Sequence, residues 1–121
     1  MSDRRFEAQV RHRPGVAVLD LRGEIDAAAE AALTAAYEEA GGRDPATILF
    51  NFGGVDYINS TGIALIVGLL ARARATRRRL LACGLSEHYV EIFALTRLAD
   101  FMTVFADEAS ALDALPGAAR S

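Results

Sequence analysis

The chain has 121 residues, 52% of them hydrophobic and 24% charged, with a formal net charge of −3 at neutral pH. That size suits one domain with a self-sufficient core, the balance is globular rather than disordered, and the net negative charge argues against a general nucleic-acid binder. All thirteen basic residues are arginine, which excludes every chemistry built on lysine: a Walker-type phosphate lysine, a Schiff base, or the lysine of a phosphoacceptor receiver.

Cys83 is the single cysteine and leaves no internal disulfide. No charged-then-apolar leader opens the chain. The longest strongly apolar run, Ile63 to Ala71, falls far short of the ~20 residues a membrane helix needs. A cytoplasmic protein with no direct membrane insertion is expected.

Phe6 to Arg11 alternates apolar and polar residues and reads as a half-buried strand. Pro14-Gly15 marks a turn, and Val16 to Leu21 reads as a second, more buried strand, antiparallel to the first because the connection is short. Asp26 suits an N-cap for the alanine-rich stretch Ala27 to Ala40. There Leu33, Ala36, Tyr37 and Ala40 share one helical face, and Gly41-Gly42 ends the helix. Thr47 to Phe52 is almost continuously apolar, the mark of a strand covered on both faces, and Gly53-Gly54 is expected to break it.

A helix from about Thr61 to Thr76 follows, with Leu65, Leu69 and Arg72 or Ala73 recurring at helical spacing. Arg79 to Cys83 is another buried strand. Ser86 caps a helix carrying Val90, Phe93, Ala94 and Leu98, and Met102 to Phe105 forms a last short strand. Asp107-Glu108 begins a final helix through Leu115, stopped by Pro116-Gly117. The order β-β-α-β-α-β-α-β-α predicts an α/β fold: a mixed, mostly parallel sheet opened by an antiparallel hairpin and covered by about four helices. One domain is expected over residues 1–121, with its core at about 6–115 and a short tail at 116–121.

Few residues could carry catalysis. Ser60 lacks the Gly-x-Ser-x-Gly frame of a hydrolase elbow, and neither candidate base, His12 or His88, is tied to it by sequence. Asp20, Asp26 and Asp56 near strand ends suggest a receiver-like acidic pocket, incomplete without lysine. No metal-ligand spacing occurs, and neither a metal nor another cofactor is expected. The arginine cluster of Arg72, Arg74, Arg77, Arg78 and Arg79 suits a helix C-terminus, whose dipole favours cations, or an acidic partner surface.

The segment Asn59-Ser60-Thr61-Gly62-Ile63 stands apart. It lies after a parallel strand and opens a helix, where ligands and partners meet such sheets. Ser60 reads there either as an N-cap or as a phosphate acceptor, since a phosphate would meet free N–H groups and the positive dipole end.

Several stretches together resemble the STAS domain of bacterial anti-sigma-factor antagonists, also found in sulfate transporters. They are Gly23-Glu24-Ile25-Asp26, Phe50 to Phe52, Val55 to Ile63, Val90 to Leu98, Phe101 to Phe105 and Glu108 to Leu112. The resemblance implies partner switching by a binding module that is not an enzyme. The unphosphorylated chain would bind an anti-sigma factor that is itself a serine kinase, phosphorylation at Ser60 (alternatively Thr61) would release it, and a phosphatase would reset it. Asp26, Asn59, Ser60, Thr61, Gly62 and Ile63 would form the partner site. The chain departs from the family at Asn59, where aspartate is usual, and at Arg97, where glycine is favoured. The resemblance also allows a second function, a STAS scaffold subunit in a stress-sensing assembly or on a transporter ATPase, with no phosphorylation cycle; a third reading, of another class, is a small-ligand binder or hydrolase using the same loop. The alternating first strand could pair at an exposed edge, giving a homodimer.

Overall fold

The computed structural model describes residues 5–115. Five strands form one sheet in the order β1-β2-β3-β4-β5. They are β1 (Glu7–Arg13), β2 (Val16–Ile25), β3 (Thr47–Ile58), β4 (Arg79–Cys83) and β5 (Thr103–Phe105). The β1–β2 pair is antiparallel and the other three pairs are parallel. Four α-helices intervene: α1 (Glu30–Gly41), α2 (Ser60–Ala75), α3 (Glu87–Leu95) and α4 (Glu108–Asp113). The expected mixed sheet with its antiparallel opening hairpin and four helices is present.

The alternating burial of β1 follows its position at the sheet margin, whereas β2 and β3 lie inside and are buried along most of their first halves. One sheet face is covered by α1, α2 and α3. It buries Leu19, Phe50, Phe52, Leu33, Ile66 and Phe93, with Phe93 set edge-on against Phe52 at 5.7 Å. On the other face, among the described residues, Val18, Leu49, Leu81 and Cys83 pack with Ala111 of α4. Burial there pushes the Cys83 thiol up to about 11, so it remains a protonated core group at neutral pH.

Three expectations are corrected. Gly53-Gly54 does not break β3, which continues to Ile58. Gly54 instead lets β3 lie close to β2 where the pairing register shifts: a Cβ there would sit 2.8 Å from Arg22 Cβ and 3.0 Å from the Leu21 carbonyl oxygen. β2 likewise runs on to Ile25. Asp26 caps a short 3₁₀ turn, Ala27–Ala29, that leads into α1 rather than capping α1 itself.

The inward faces of two helices also differ. α2 buries Ile66, Leu69, Leu70 and Ala73, with Leu65 only half-buried and Arg72 exposed. α3 buries Tyr89 and Phe93 and exposes Val90 and Ala94. It ends at Leu95 because the chain reverses at Arg97, whose φ of 67° is left-handed, and Leu98 is buried from a following 3₁₀ turn. Glycine, usual in the resembled family at this position, would take that φ without strain. α4 ends at Asp113, before Leu115, and Pro116-Gly117 lies outside the described residues.

Candidate functional site

Strands β2 and β3 end level with each other, Ile25 opposite Ile58. Asp26 and Asn59 therefore follow the carboxyl ends of adjacent parallel strands, and the Asn59 N–H donates to the Ile25 carbonyl at 3.2 Å. This hydrogen bond carries the sheet pairing into the loop and brings together two stretches far apart in sequence.

Asn59 is the N-cap of α2. Its Oδ1 accepts from the Gly62 N–H at 2.9 Å, and its carbonyl accepts from the Ile63 N–H at 2.9 Å. The capping reading of Ser60 is thereby corrected. Ser60 is the first residue inside the helix, exposed, and among the described residues its hydroxyl enters no hydrogen bond. Thr61 is exposed beside it. The N–H groups of these two residues have no intrahelical acceptor, and the first turn carries no acidic side chain. The positive end of the helix dipole is thus uncompensated from within α2 at the position of the Ser60 hydroxyl.

Gly62 and Ile63 face inward. Gly62 is buried, and a Cβ there would stand 2.1 Å from the Ile25 carbonyl oxygen and 2.9 Å from Ile58 Cγ2. Only glycine lets the helix begin this close to the end of β2. Ile63, half-buried, packs against the main core. The exposed surface along α2 next to the hydroxyl comes instead from Ala64 and Val67, which lie one and two turns along the same side of the helix.

Tyr89 is a positioning residue that the sequence reading did not single out. Strand β4 ends opposite Asn51, so on that side β3 continues to Ile58 with no strand beside it. The Tyr89 hydroxyl takes the strand's place: it accepts from the Ile58 N–H at 2.8 Å and donates to the Ile58 carbonyl at 3.3 Å. No local sequence signal marks this role, because it depends on where a neighbouring strand stops. Replacing Tyr89 with Phe leaves two buried backbone groups unpaired and is expected to cost about 1–3 kcal/mol. Faster amide exchange at Ile58 and Asn59, beside a lower melting temperature, checks it; unchanged exchange at both would show that the loop holds its shape without the hydroxyl.

The remaining candidates lie elsewhere. His12 pairs opposite Ala17, toward the far end of β2 from Ile25. His88 is exposed on α3 with its ring edge-on to Tyr89. The three aspartates do not converge: Asp20 accepts from Arg11 within the sheet, Asp26 caps, and Asp56 is exposed. Among the described residues no group of three or more His, Cys, Asp or Glu could hold a metal ion, and no helix is long and apolar enough to cross a membrane. Of the arginine cluster, Arg72 reaches Glu38 and the Tyr37 ring, Arg74 stacks on Phe101, and Arg78 binds Asp44 and the Pro45 carbonyl.

The fold is similar to that of known antagonists. An anti-sigma factor antagonist from Mycobacterium paratuberculosis superimposes with a TM-score of 0.75 at 21% identity, over 93% of this chain and 96% of that one. The Bacillus cell fate determinant SpoIIAA in its phosphorylated form gives 0.68 at 25% identity, over 88% and 96% of the two chains. The anti-sigma factor antagonist SpoIIAA in its unphosphorylated form gives 0.66 at 24%, over 88% and 94%. No curated protein sequence matches the chain. The family model of the STAS domain matches residues 7–111, nearly the whole chain, and with the mixed sheet and helices described above it establishes that this protein belongs to the STAS domain family.

Proposed function

We propose that the protein is an anti-sigma-factor antagonist that works by partner switching. Unphosphorylated, it binds an anti-sigma factor that is itself a serine kinase; phosphorylated on Ser60, it lets go, and a phosphatase restores it. On this reading it is a cytoplasmic kinase substrate and binding module, not an enzyme, and ATP and its metal belong to the kinase. The observation that carries the reading is the exposed Ser60 hydroxyl at the N-terminus of α2, left unbonded because Asn59 supplies the cap. Structures of SpoIIAA in both phosphorylated and unphosphorylated forms support it by likeness.

Incubation with the cognate kinase and ATP tests the acceptor. Wild type is expected to gain one phosphate and Ser60→Ala none, whereas undiminished labelling of Ser60→Ala, at Thr61 or elsewhere, would overturn the assignment. Asn59→Asp keeps the capping oxygen and adds the family's usual charge, so it is expected to fold alike and to be phosphorylated faster. Equal rates would show that the carboxylate is dispensable. If neither protein is phosphorylated, the STAS scaffold function, in a stress-sensing assembly or on a transporter ATPase, replaces the switch; Asn59 is the observation that favours it.

A further inference from the structure

Among the described residues, the outer side of β1 is the long open edge of the sheet. Seven residues, Glu7–Arg13, pair with β2 on one side only, while the opposite margin, β5, has three. Soluble proteins usually guard such an edge with charges that repel a second copy. The charges on β1 have the opposite arrangement.

In an antiparallel pair of two β1 strands centred on Val10, position 7 of one copy lies opposite position 13 of the other. Glu7 then meets Arg13 at both ends, and Gln9 meets Arg11. Val10 meets Val10 of the second copy on the helix-covered side, where it already packs against the core margin. This register uses all seven residues of the strand. Shifting it by two residues in one direction sets Arg11 opposite Arg11. Shifting it in the other direction asks Glu7 to pair with Arg11, whose guanidinium is already held by Asp20 and Glu108.

The groups needed at the ends are loosely engaged within the chain. Glu7 stands 3.7 Å from Arg22 and Arg13 stands 3.9 Å from Glu108, and the side chains of Glu7 and Arg13 are 62% and 52% exposed. The Arg11 side chains, which would be neighbours across the pair, are each neutralised within their own copy.

We propose that two copies associate through antiparallel pairing of β1 with β1, in the register centred on Val10, to make one continuous sheet across a two-fold axis. Main-chain hydrogen bonds join the edges, and the two Glu7–Arg13 pairs select the register. The two-fold axis reverses strand direction, so the two Ser60 loops lie at opposite ends of the joined sheet and both face solvent. Association therefore leaves the proposed switch open on each copy and does not depend on phosphorylation.

Sedimentation equilibrium of the full chain from low to high micromolar concentration tests this. Wild type is expected to show a reversible monomer–dimer equilibrium. Glu7→Arg sets two cations against each other at both ends, and Arg13→Glu sets two anions, so each variant alone is expected to dimerise about tenfold or more weakly. In an equimolar mixture of the two variants, one chain supplies both cations and the other both anions, and dimerisation is expected to recover as a heterodimer. Both substitutions are at exposed positions and are expected to leave the melting temperature of the monomer unchanged. A monomeric wild type at every concentration, a dimer indifferent to both substitutions, or a mixture that fails to recover would each overturn the proposal. These outcomes do not involve Ser60, so they leave the phosphorylation reading to its own test.

Discussion

Phosphorylated at Ser60, the protein is expected to bind its anti-sigma factor at least a hundredfold more weakly while melting at an unchanged or slightly higher temperature. The phosphate adds about −1.5 to −2 charges at neutral pH. Within the chain it meets the positive end of α2 and the N–H groups of Ser60 and Thr61, which lack intrahelical acceptors; such placement stabilises by roughly 0.3–1 kcal/mol. Because Asn59 already holds the cap, no hydrogen bond of the helix terminus has to break to admit the phosphate. A partner seated over Ser60, Ala64 and Val67 meets a different situation. Its contacts are to a neutral hydroxyl and to apolar groups, and the new charge would be desolvated there without a paired cation, at a cost of several kcal/mol. Each 1.4 kcal/mol is about tenfold in affinity. Calorimetry of the phosphorylated protein, with Ser60→Asp as a weaker mimic, reads binding and melting together. A large fall in melting temperature with the loss of binding would replace local repulsion by local unfolding, and retained tight binding would end the switch.

Gly62→Ala is expected to be strongly destabilising. Alanine in place of an exposed helical glycine ordinarily stabilises by up to about 1 kcal/mol. At Gly62 the new Cβ would lie 2.1 Å from a backbone oxygen, that of Ile25, with Ile58 closing the other side. Neither neighbour is the far end of a flexible side chain, so the first turn of α2 has to move away from β2. That movement strains the Asn59–Ile25 hydrogen bond and the cap together. A loss of about 3 kcal/mol, the top of the usual range for overpacking, is expected, with a fall in melting temperature of roughly 10 °C. Gly68 in the same helix is the internal control: a Cβ there meets nothing within 4 Å, so Gly68→Ala is expected to stabilise by about 0.5–1 kcal/mol. Thermal melts of the two variants check both signs. Equal behaviour would show that α2 starts farther from β2 than the geometry requires.

These two glycines stand six residues apart in one helix and look alike in sequence. The difference between them comes from the partner strand, which the local pattern does not contain. Ser60 and Asn59 illustrate the same point. Both residue types are good N-caps, and choosing between them depends on which backbone the loop must leave, here the pairing of Ile58 with Ile25. The segment was legible as a helix start after a parallel strand; which side chain capped it, and which was left exposed, was not.

What the sequence determined by itself was the order of elements, the antiparallel opening hairpin, the buried strands at Thr47 to Phe52 and Arg79 to Cys83, and the loop carrying Ser60. Each of these is written in short-range periodicity, in turn residues such as Pro14-Gly15, or in apolar runs long enough for one strand. Tertiary structure decided where β3 ended, which faces of α2 and α3 turned inward, and how the loop was held. Gly53-Gly54 has the composition of a turn, yet β2 lies close enough at Gly54 to use the missing side chain, and the strand continues. Tyr89 is a buried aromatic of α3, yet its hydroxyl completes the end of β3 because β4 stops short. The physical reason is common to both. Helix and strand propensities act between residues a few positions apart, whereas a close backbone approach or an unpaired strand edge arises only when distant segments meet.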